Sequence, residues 1–264
     1  METRTRNLKY RMMVTELLKV ANKRYKYQEL KERLQDLKLD LELSPPMLSR
    51  YTRGHVLPSF ARAQTLYDAL MKIIDIKQEL ISLIKFDEKG FFDNSPIITD
   101  ITWLKLCANY AVERFAGTRV TKVLTPAVDG IPIATMVANL LDVDLVVAKE
   151  TREIGVDRFI EESYIPQGTA VRRTMYVPRV TIRPRDSILI VDDIVRTGET
   201  VAALASMVLK LRNKRKNTDK RIGPDLAGIF TLITVGDLWK RELDEISDVC
   251  PLHAMVHVNA SGRR

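Results

Sequence analysis

Residues 188–200 read Ile-Leu-Ile-Val-Asp-Asp-Ile-Val-Arg-Thr-Gly-Glu-Thr. The apolar run enters two adjacent carboxylates, Asp192 and Asp193, without polar alternation. Such a run predicts a strand buried on both faces, and hence a parallel sheet covered by helices. A tight turn with Gly198 follows, and then a helix begins. In open α/β sheets ligands sit beyond the carboxyl ends of the strands. A helix N-terminus and loop amides at that place favour a phosphate. Thr197 and Thr200 add hydroxyl donors, and Gly198 permits close backbone approach. Asp192 and Asp193 can accept from the vicinal hydroxyls of a ribose, or approach Mg²⁺. The stretch is shaped for a ribose that carries a 5′-phosphate.

The flanking sequence has the same texture. VTKVLTPAV (120–128), DLVVAK (144–149), SILIVDD (187–193) and LAGIFTLITV (226–235) read as short continuous strands. Helical stretches separate them, one starting at Pro132 and another over 199–212. This alternation is the signature of an α/β domain. A second loop stands out at 124–134, Leu-Thr-Pro-Ala-Val-Asp-Gly-Ile-Pro-Ile-Ala, with Asp129 and Gly130 at its tip.

The 188–200 stretch resembles the phosphoribosyl-pyrophosphate (PRPP) motif of type I phosphoribosyltransferases. One position departs from it, Arg196, where those enzymes carry a small residue. The 124–134 loop looks like the pyrophosphate loop of the same family, and Lys149 matches the basic residue that ends the next strand. The resemblance implies the type I phosphoribosyltransferase fold. It assigns PRPP or a related purine nucleotide to Asp192, Asp193, Arg196, Thr197, Gly198, Glu199, Thr200, Asp129, Gly130 and Lys149. It also assigns the segment between Lys149 and Arg185, with its arginines, to a mobile arm over the ligand. No cofactor is required on this reading, and Mg²⁺ enters only together with PRPP.

The first third of the chain differs. Residues 8–22 and 60–86 read as helices, and DEKGFFDNSP (87–96) as a linker. The chain is therefore expected to divide into an all-α domain, 1–90, and an α/β domain, 91–264. The net charge of +8 is uneven: residues 1–90 hold 18 Lys and Arg against 12 Asp and Glu, and residues 91–264 hold 24 against 22. A basic surplus in one domain fits a polyanion. In residues 44–63 (SPPMLSRYTRGHVLPSFARA), Ser44 is an N-cap, Pro45 sits at the first helical position and Gly54 fits just past the helix end. Leu48 and Tyr51 then face a core, while Ser49, Arg50 and Arg53 face outward. Ser59 caps the next helix, whose free N–H groups are placed to hold a phosphate.

This run resembles the recognition helix of repressor-type helix-turn-helix domains. The resemblance implies contacts to double-stranded DNA through Ser49, Arg50, Arg53, Ser59 and Arg62, and a homodimer on a palindromic site. One feature departs: Leu37, Leu39, Leu41 and Leu43 alternate strictly, as in a short strand rather than a tight turn.

Composition narrows the remaining classes. No apolar run reaches the ~20 residues of a membrane helix, so no membrane role is expected. The N-terminus lacks the apolar stretch of a secretory signal. Two cysteines, Cys107 and Cys250, rule out a disulfide scaffold and fit a cytoplasmic protein with buried thiols. His253 and His257 lie in a terminal strand pattern rather than a metal site. KLRNKRKNTDKR (210–221) reads as a solvated loop. Two functions remain. The first is a DNA-binding regulator that senses PRPP or a purine nucleotide and does no chemistry, resembling archaeal helix-turn-helix fusions and the bacterial purine repressor of this fold. The second is an active nucleobase phosphoribosyltransferase, of purine or orotate type, with a helical appendage.

Overall fold

The computed structural model describes residues 2–38, 43–86, 92–213, 223–247 and 250–259. The chain divides into two compact units, one of residues 1–83 and 100–106, the other of residues 84–99 and 107–264.

The first unit is built from helices α1 (Glu2–Arg24), α2 (Tyr27–Asp36), α3 (Pro45–Thr52), α4 (Phe60–Ile73) and α5 (Ile76–Leu83). Helix α1 packs on α3 and α4, and α2 on α3. Leu17, Leu18, Leu30, Leu48, Leu66 and Leu70 are fully buried. Both expected caps form: Ser44 Oγ accepts from the Met47 amide and Ser59 Oγ from the Arg62 amide, each at 3.3 Å. Gly54 ends α3 with φ +72°, a conformation open to glycine at no Cβ penalty. The Arg11 guanidinium holds the α3–α4 loop, donating to the Pro58 carbonyl at 2.5 Å. Glu16 is buried, and its carboxylate is shared by Lys19 at 2.9 Å and Lys105 at 3.0 Å.

Two expectations need correction here. The helix read over 60–86 is two helices followed by a short strand. It breaks at Ile74, which is extended (φ −115°, ψ 119°). Asp75 is the reason: its Oδ1 accepts from the amides of Lys77 and Gln78, each at 3.1 Å, and so caps a new helix in the middle of an unbroken apolar pattern. The alternating leucines are no strand at their start, because Leu37 lies in the turn that ends α2. Residues 39–42 of that stretch lie outside the described residues.

The second unit opens with β1 (Lys85–Phe86) and β2 (Phe92–Asp93), an antiparallel pair, and α6 (Ser95–Ile98). Residues 87–91 of the expected linker lie outside the described residues. Helix α7 (Ile101–Arg114) is capped by Asp100, whose Oδ1 accepts from the Thr102 amide at 2.8 Å. There follow β3 (Lys122–Pro126), α8 (Ile131–Leu141), β4 (Asp144–Ala148), β5 (Phe159–Tyr164), β6 (Arg173–Pro178), β7 (Ser187–Val195), α9 (Glu199–Asn213), β8 (Asp225–Val235), α10 (Leu238–Glu242), α11 (Asp244–Ser247) and β9 (Leu252–Val258). Five strands form one parallel sheet in the order β4-β3-β7-β8-β9. This is the expected fold class, an α/β unit with a parallel sheet after a helical region.

The strand order fixes where a ligand can sit. From β3 the chain steps outward to β4, then returns to lay β7 against the other side of β3. The connections leave the β3 and β7 ends in opposite directions, and a crevice opens there. Strand β7 is buried along nearly its whole length, as its unbroken apolar sequence requires. Strands β5 and β6 form a separate antiparallel hairpin, joined to the end of β4 by paired backbone bonds between Lys149 and Tyr176. Ile160, Met175 and Val177 of the hairpin share a core with Leu204, Met207 and Val208 of α9. Both cysteines are buried, and burial pushes each thiol up to about 12. His253 and His257 do lie on a terminal strand, His253 edge-on to Phe115 and His257 Nδ1 3.0 Å from Thr234 Oγ1. Residues 214–222 of the basic loop lie outside the described residues.

The helical core yields a stability test. Leu48 is fully buried between α1 and α3 neighbours. Leu48→Ala leaves a cavity and should lower unfolding free energy by ~2–5 kcal/mol, read as a lower urea midpoint at unchanged slope.

Candidate functional site

The crevice at the β3 and β7 ends contains a cavity of about 190 Å³. Its walls come from the β3–α8 loop (Pro126–Gly130), Asp192 and Asp193 of β7, Thr200 of α9, and Glu150, Tyr164, Arg173 and Met175 from the arm segment. Sequence-distant residues thus meet where the topology opens the sheet.

Asp192 and Asp193 are both buried, 6 % and 7 % exposed. The Asp193 amide donates to Asp192 Oδ1 at 2.9 Å, and Thr231 on β8 donates its hydroxyl to the Asp193 carbonyl at 3.1 Å. Burial, then the neighbouring Asp193 charge, holds the Asp192 carboxyl well above the ordinary carboxylate range. Burial also raises Asp193. Two acceptors in so little water are costly alone and favour a ligand that brings hydroxyl donors or positive charge.

The β3–α8 loop is pressed against this pair. A Cβ on Gly130 would lie 2.6 Å from Thr125 Oγ1 and 2.8 Å from Asp192 Oδ1, so only glycine fits. Gly130 is the N-cap of α8, with Pro132 in the first turn, so the start of that helix lies beside the cavity that Asp129 and Gly130 line. Asp129 and Val128 are exposed, and the Ala127–Val128 peptide is cis.

The turn between β7 and α9 is tied to the arm. Gly198 takes φ +93° and accepts from the Ala202 amide at 2.8 Å, which starts α9. Glu199 Oε1 accepts from the Gln167 amide at 2.8 Å, and its other oxygen accepts from the Thr197 hydroxyl. Thr200 Oγ1 lies 3.2 Å from the Tyr164 hydroxyl. Lys210 farther along α9 pairs with Glu162 at 2.6 Å. The hairpin therefore lies along α9 and beside the cavity.

The sequence-derived residues separate into groups. Asp129, Gly130, Asp192, Asp193 and Thr200 line the cavity. Arg196, Thr197, Gly198 and Glu199 form the turn that leads into α9, with Arg196 exposed. Lys149 lines a different cavity with Tyr176 and Glu153, and its ammonium pairs with Glu153. Glu150, Tyr164, Arg173 and Met175 escaped the sequence reading as site residues, though Arg173 was among the arm's arginines; Glu150 and Arg173 form an ion pair at 3.0 Å. Asn94 escaped it altogether, yet its carboxamide donates to Asp193 Oδ2 at 2.5 Å. In the helical unit, Arg50 and Arg53 are exposed and Ser49 is half-buried. Ser59 is engaged as a cap, and Arg62 donates to the Tyr51 hydroxyl at 3.2 Å.

Two variants test this geometry. Gly130→Ala forces the loop off Asp192 and should lower unfolding free energy by ~1–3 kcal/mol, read as a lower urea midpoint. Asp192→Asn removes a buried acid whose folded-state value is raised. The wild-type contribution is fully present below the unfolded value near pH 4 and is lost as pH rises through the folded value. The variant should therefore melt higher than wild type at pH 7, with the difference vanishing near pH 4.

Residues 98–216 match the family described as Phosphoribosyl transferase domain. The chain is 28% identical over 140 residues to the adenine phosphoribosyltransferase of Pelobacter propionicus, covering 52% of this chain and 80% of that protein. It is 24% identical over 142 residues to the probable purine biosynthesis transcriptional regulator PurR of Streptococcus pneumoniae, covering 53% of this chain and about half, 52%, of that protein. It is 34% identical over 100 residues to the xanthine phosphoribosyltransferase of Laribacter hongkongensis, covering 36% and 52%. Among solved structures, adenine phosphoribosyltransferase from Rhodothermus marinus superposes with a TM-score of 0.57 at 23% identity, over 70% of this chain and 98% of that one. The Trypanosoma brucei enzyme, solved with AMP, pyrophosphate and ribose-5-phosphate, gives a TM-score of 0.59 at 15% identity, over 72% and 81%. The α/β unit of this chain has the phosphoribosyltransferase type I fold, preceded by a helical region.

Proposed function

We propose that the chain is a DNA-binding transcriptional regulator whose phosphoribosyltransferase-like unit senses PRPP or a related purine nucleotide. The observation that carries this reading is the α3–α4 element. A capped, eight-residue helix buries Leu48 and Tyr51 and exposes Arg50 and Arg53, ahead of a second capped helix. This is the arrangement by which a short helix presents arginines to base edges while a neighbouring helix N-terminus meets the phosphate backbone. Arg62, bonded to Tyr51, positions α3 against α4 on this reading. The likeness to the PurR regulator supports the combination of a regulator with this fold. The division at 90 and 91 is kept as the functional boundary: DNA before it, ligand after it.

At the ligand site, Asp192 and Asp193 take the ribose hydroxyls. The turn Arg196–Thr200 takes the 5′-phosphate, and the amides at Asp129 and Gly130 take the pyrophosphate. Mg²⁺ is held by few carboxylates plus substrate phosphates in such sites, and the oxygen donors of Asp192 and Asp193 fit that chemistry. The ion would arrive with the ligand and spread its phosphate charge. Lys149, paired with Glu153, serves the ligand only if that pair opens. The protein acts as a homodimer in solution, with two recognition helices on a palindromic site ~34 Å apart.

The likenesses to adenine and xanthine phosphoribosyltransferases favour a second reading, an active transferase for a nucleobase. Incubation with PRPP, Mg²⁺ and each common base separates the two. The regulator releases no pyrophosphate, whereas base-dependent release establishes the enzyme. For the regulator, Arg50→Ala and Arg53→Ala should each weaken operator binding by ~1–3 kcal/mol, measured by fluorescence anisotropy at fixed salt. If neither variant changes affinity, α3 is not a recognition helix. PRPP added to the wild-type complex should shift operator affinity; an unchanged titration removes the sensor.

A further inference from the structure

We propose that Asn94 is a ligand-responsive positioning residue, whose carboxamide fills the ribose-hydroxyl seat on Asp193 until a ligand displaces it and so frees the segment leading to α7. The inference rests on the ribose-phosphate reading of the site and adds its regulation.

Asn94 stands at the N-cap of α6, where an asparagine ordinarily turns its side chain onto its own helix. Here it makes no such bond. Its Nδ2 instead reaches Asp193 Oδ2 at 2.5 Å, across ninety-nine positions of sequence. The capping duty has moved one residue back: Asp93 Oδ1 accepts from the Ser95 amide at 2.8 Å. The Asn94 backbone carbonyl still accepts from the amides of Ile97, at 2.8 Å, and Ile98, at 3.1 Å. One residue therefore holds the site carboxylate with its side chain and the first turn of α6 with its main chain. Ile97, 1 % exposed, anchors that turn in the α/β unit.

The chemistry of the seat makes the two occupants rivals. Asp193 is buried, and its outer oxygen needs a donor. A carboxamide N–H and a ribose hydroxyl are both neutral donors of the right kind. Without ligand, Asn94 supplies the bond. With ligand, the hydroxyl supplies it, and Asn94 is free to return to the capping role that its position favours. The rearrangement costs little, because Asp193 keeps a donor in both states and the half-buried Asn94 turns its freed amide to water. What changes is the hydrogen bonding of residues 94–99, immediately before the chain enters the first unit at Asp100. A switch needs a contact that differs between the two states, and this is one.

The test uses the full chain, with PRPP and ribose 5-phosphate as probes. Asn94→Ser keeps a good N-cap but is too short to reach Asp193, so the fold is retained. Binding is measured by calorimetry and backbone exchange by deuterium mass spectrometry. We expect the variant to bind ribose 5-phosphate three- to tenfold more tightly, because no rival must leave. In wild type, exchange of the 94–99 amides should change on binding. In the variant, exchange of these amides without ligand should already match that of liganded wild type. Wild-type affinity in the variant, or 94–99 exchange unaffected by ligand in wild type, overturns the proposal while the ribose-phosphate reading stands. If wild type binds neither probe, that reading falls instead. The exchange of unliganded variant and wild type then still decides the Asn94 contact, since equal rates at 94–99 contradict it. Asn94→Ala gives a second variant, which should reproduce the affinity gain without restoring the cap.

Discussion

Two adjacent carboxylates buried at the end of a central strand are an arrangement that a fold meets only when something offsets it. Asp192 and Asp193 sit where water is scarce; burial raises both carboxyls, and the Asp193 charge raises Asp192 further. The surroundings offset part of this with oriented donors, the Asp193 amide on Asp192 and the Asn94 carboxamide on Asp193. Neither of these is a cation. Arg173, the nearby arginine on the cavity wall, is paired with Glu150. The pair therefore stays poor in compensating charge and rich in acceptor capacity. A polyol with a phosphate tail meets that need, and the rest of the α/β unit can be read as scaffolding for it. Glycine at 130 exists so that the β3–α8 loop can approach Asp192, and the return of the chain from β4 to β7 places both loops at one mouth.

Much of this was legible in the sequence because the relevant signals are local. The apolar run into Asp192 states a buried parallel strand, and the glycine, threonines and helix start after it state an anion turn. The caps at Ser44 and Ser59 follow from side-chain chemistry over three residues, and both form. The failures are of another kind. Asp75 breaks an apolar helical pattern because a single short acid can outcompete helix continuation, and periodicity does not weigh that choice. Asn94 and Glu150 join the site only through tertiary closure, and no spacing in the chain marks them. Lys149 shows the converse: its position along β4 was read correctly, but its charge is directed to Glu153 by a loop whose path the sequence does not state.

The hairpin deserves its own physical account. It is not a free flap: Ile160, Met175 and Val177 are buried in the core shared with α9, and Tyr164, Gln167 and Glu162 each bond to that helix or its leading turn. The bonds at Tyr164 and Gln167 end on Thr200 and Glu199, the first residues of α9 after the turn. Any anion that settles at this turn competes for the same hydroxyl, or meets the Glu199 carboxylate already there. Occupancy of the turn and the placement of the hairpin loop are thus linked through shared partners rather than through distance. An anion at the turn would act on the polar end of the hairpin and leave its apolar half anchored on α9.

The same logic separates binding from chemistry in this fold. Recognition of a phosphorylated ribose needs acceptors for hydroxyls and donors for phosphates, and both are supplied by strand ends and loop amides that a sensor and a transferase share. Transfer needs in addition that the site favour pyrophosphate as it leaves, through positioning and charge focused on the transition state. Arg196 bears on this difference. It is exposed on the turn, where a small residue would leave room, and on the proposed reading its charge would favour a 5′-phosphate that does not change during the reaction. An interaction equal in ground and transition states deepens binding without speeding the chemical step. A turn that gains affinity in this way suits a protein that must hold its ligand and report it, which supports the regulator proposed above over the transferase.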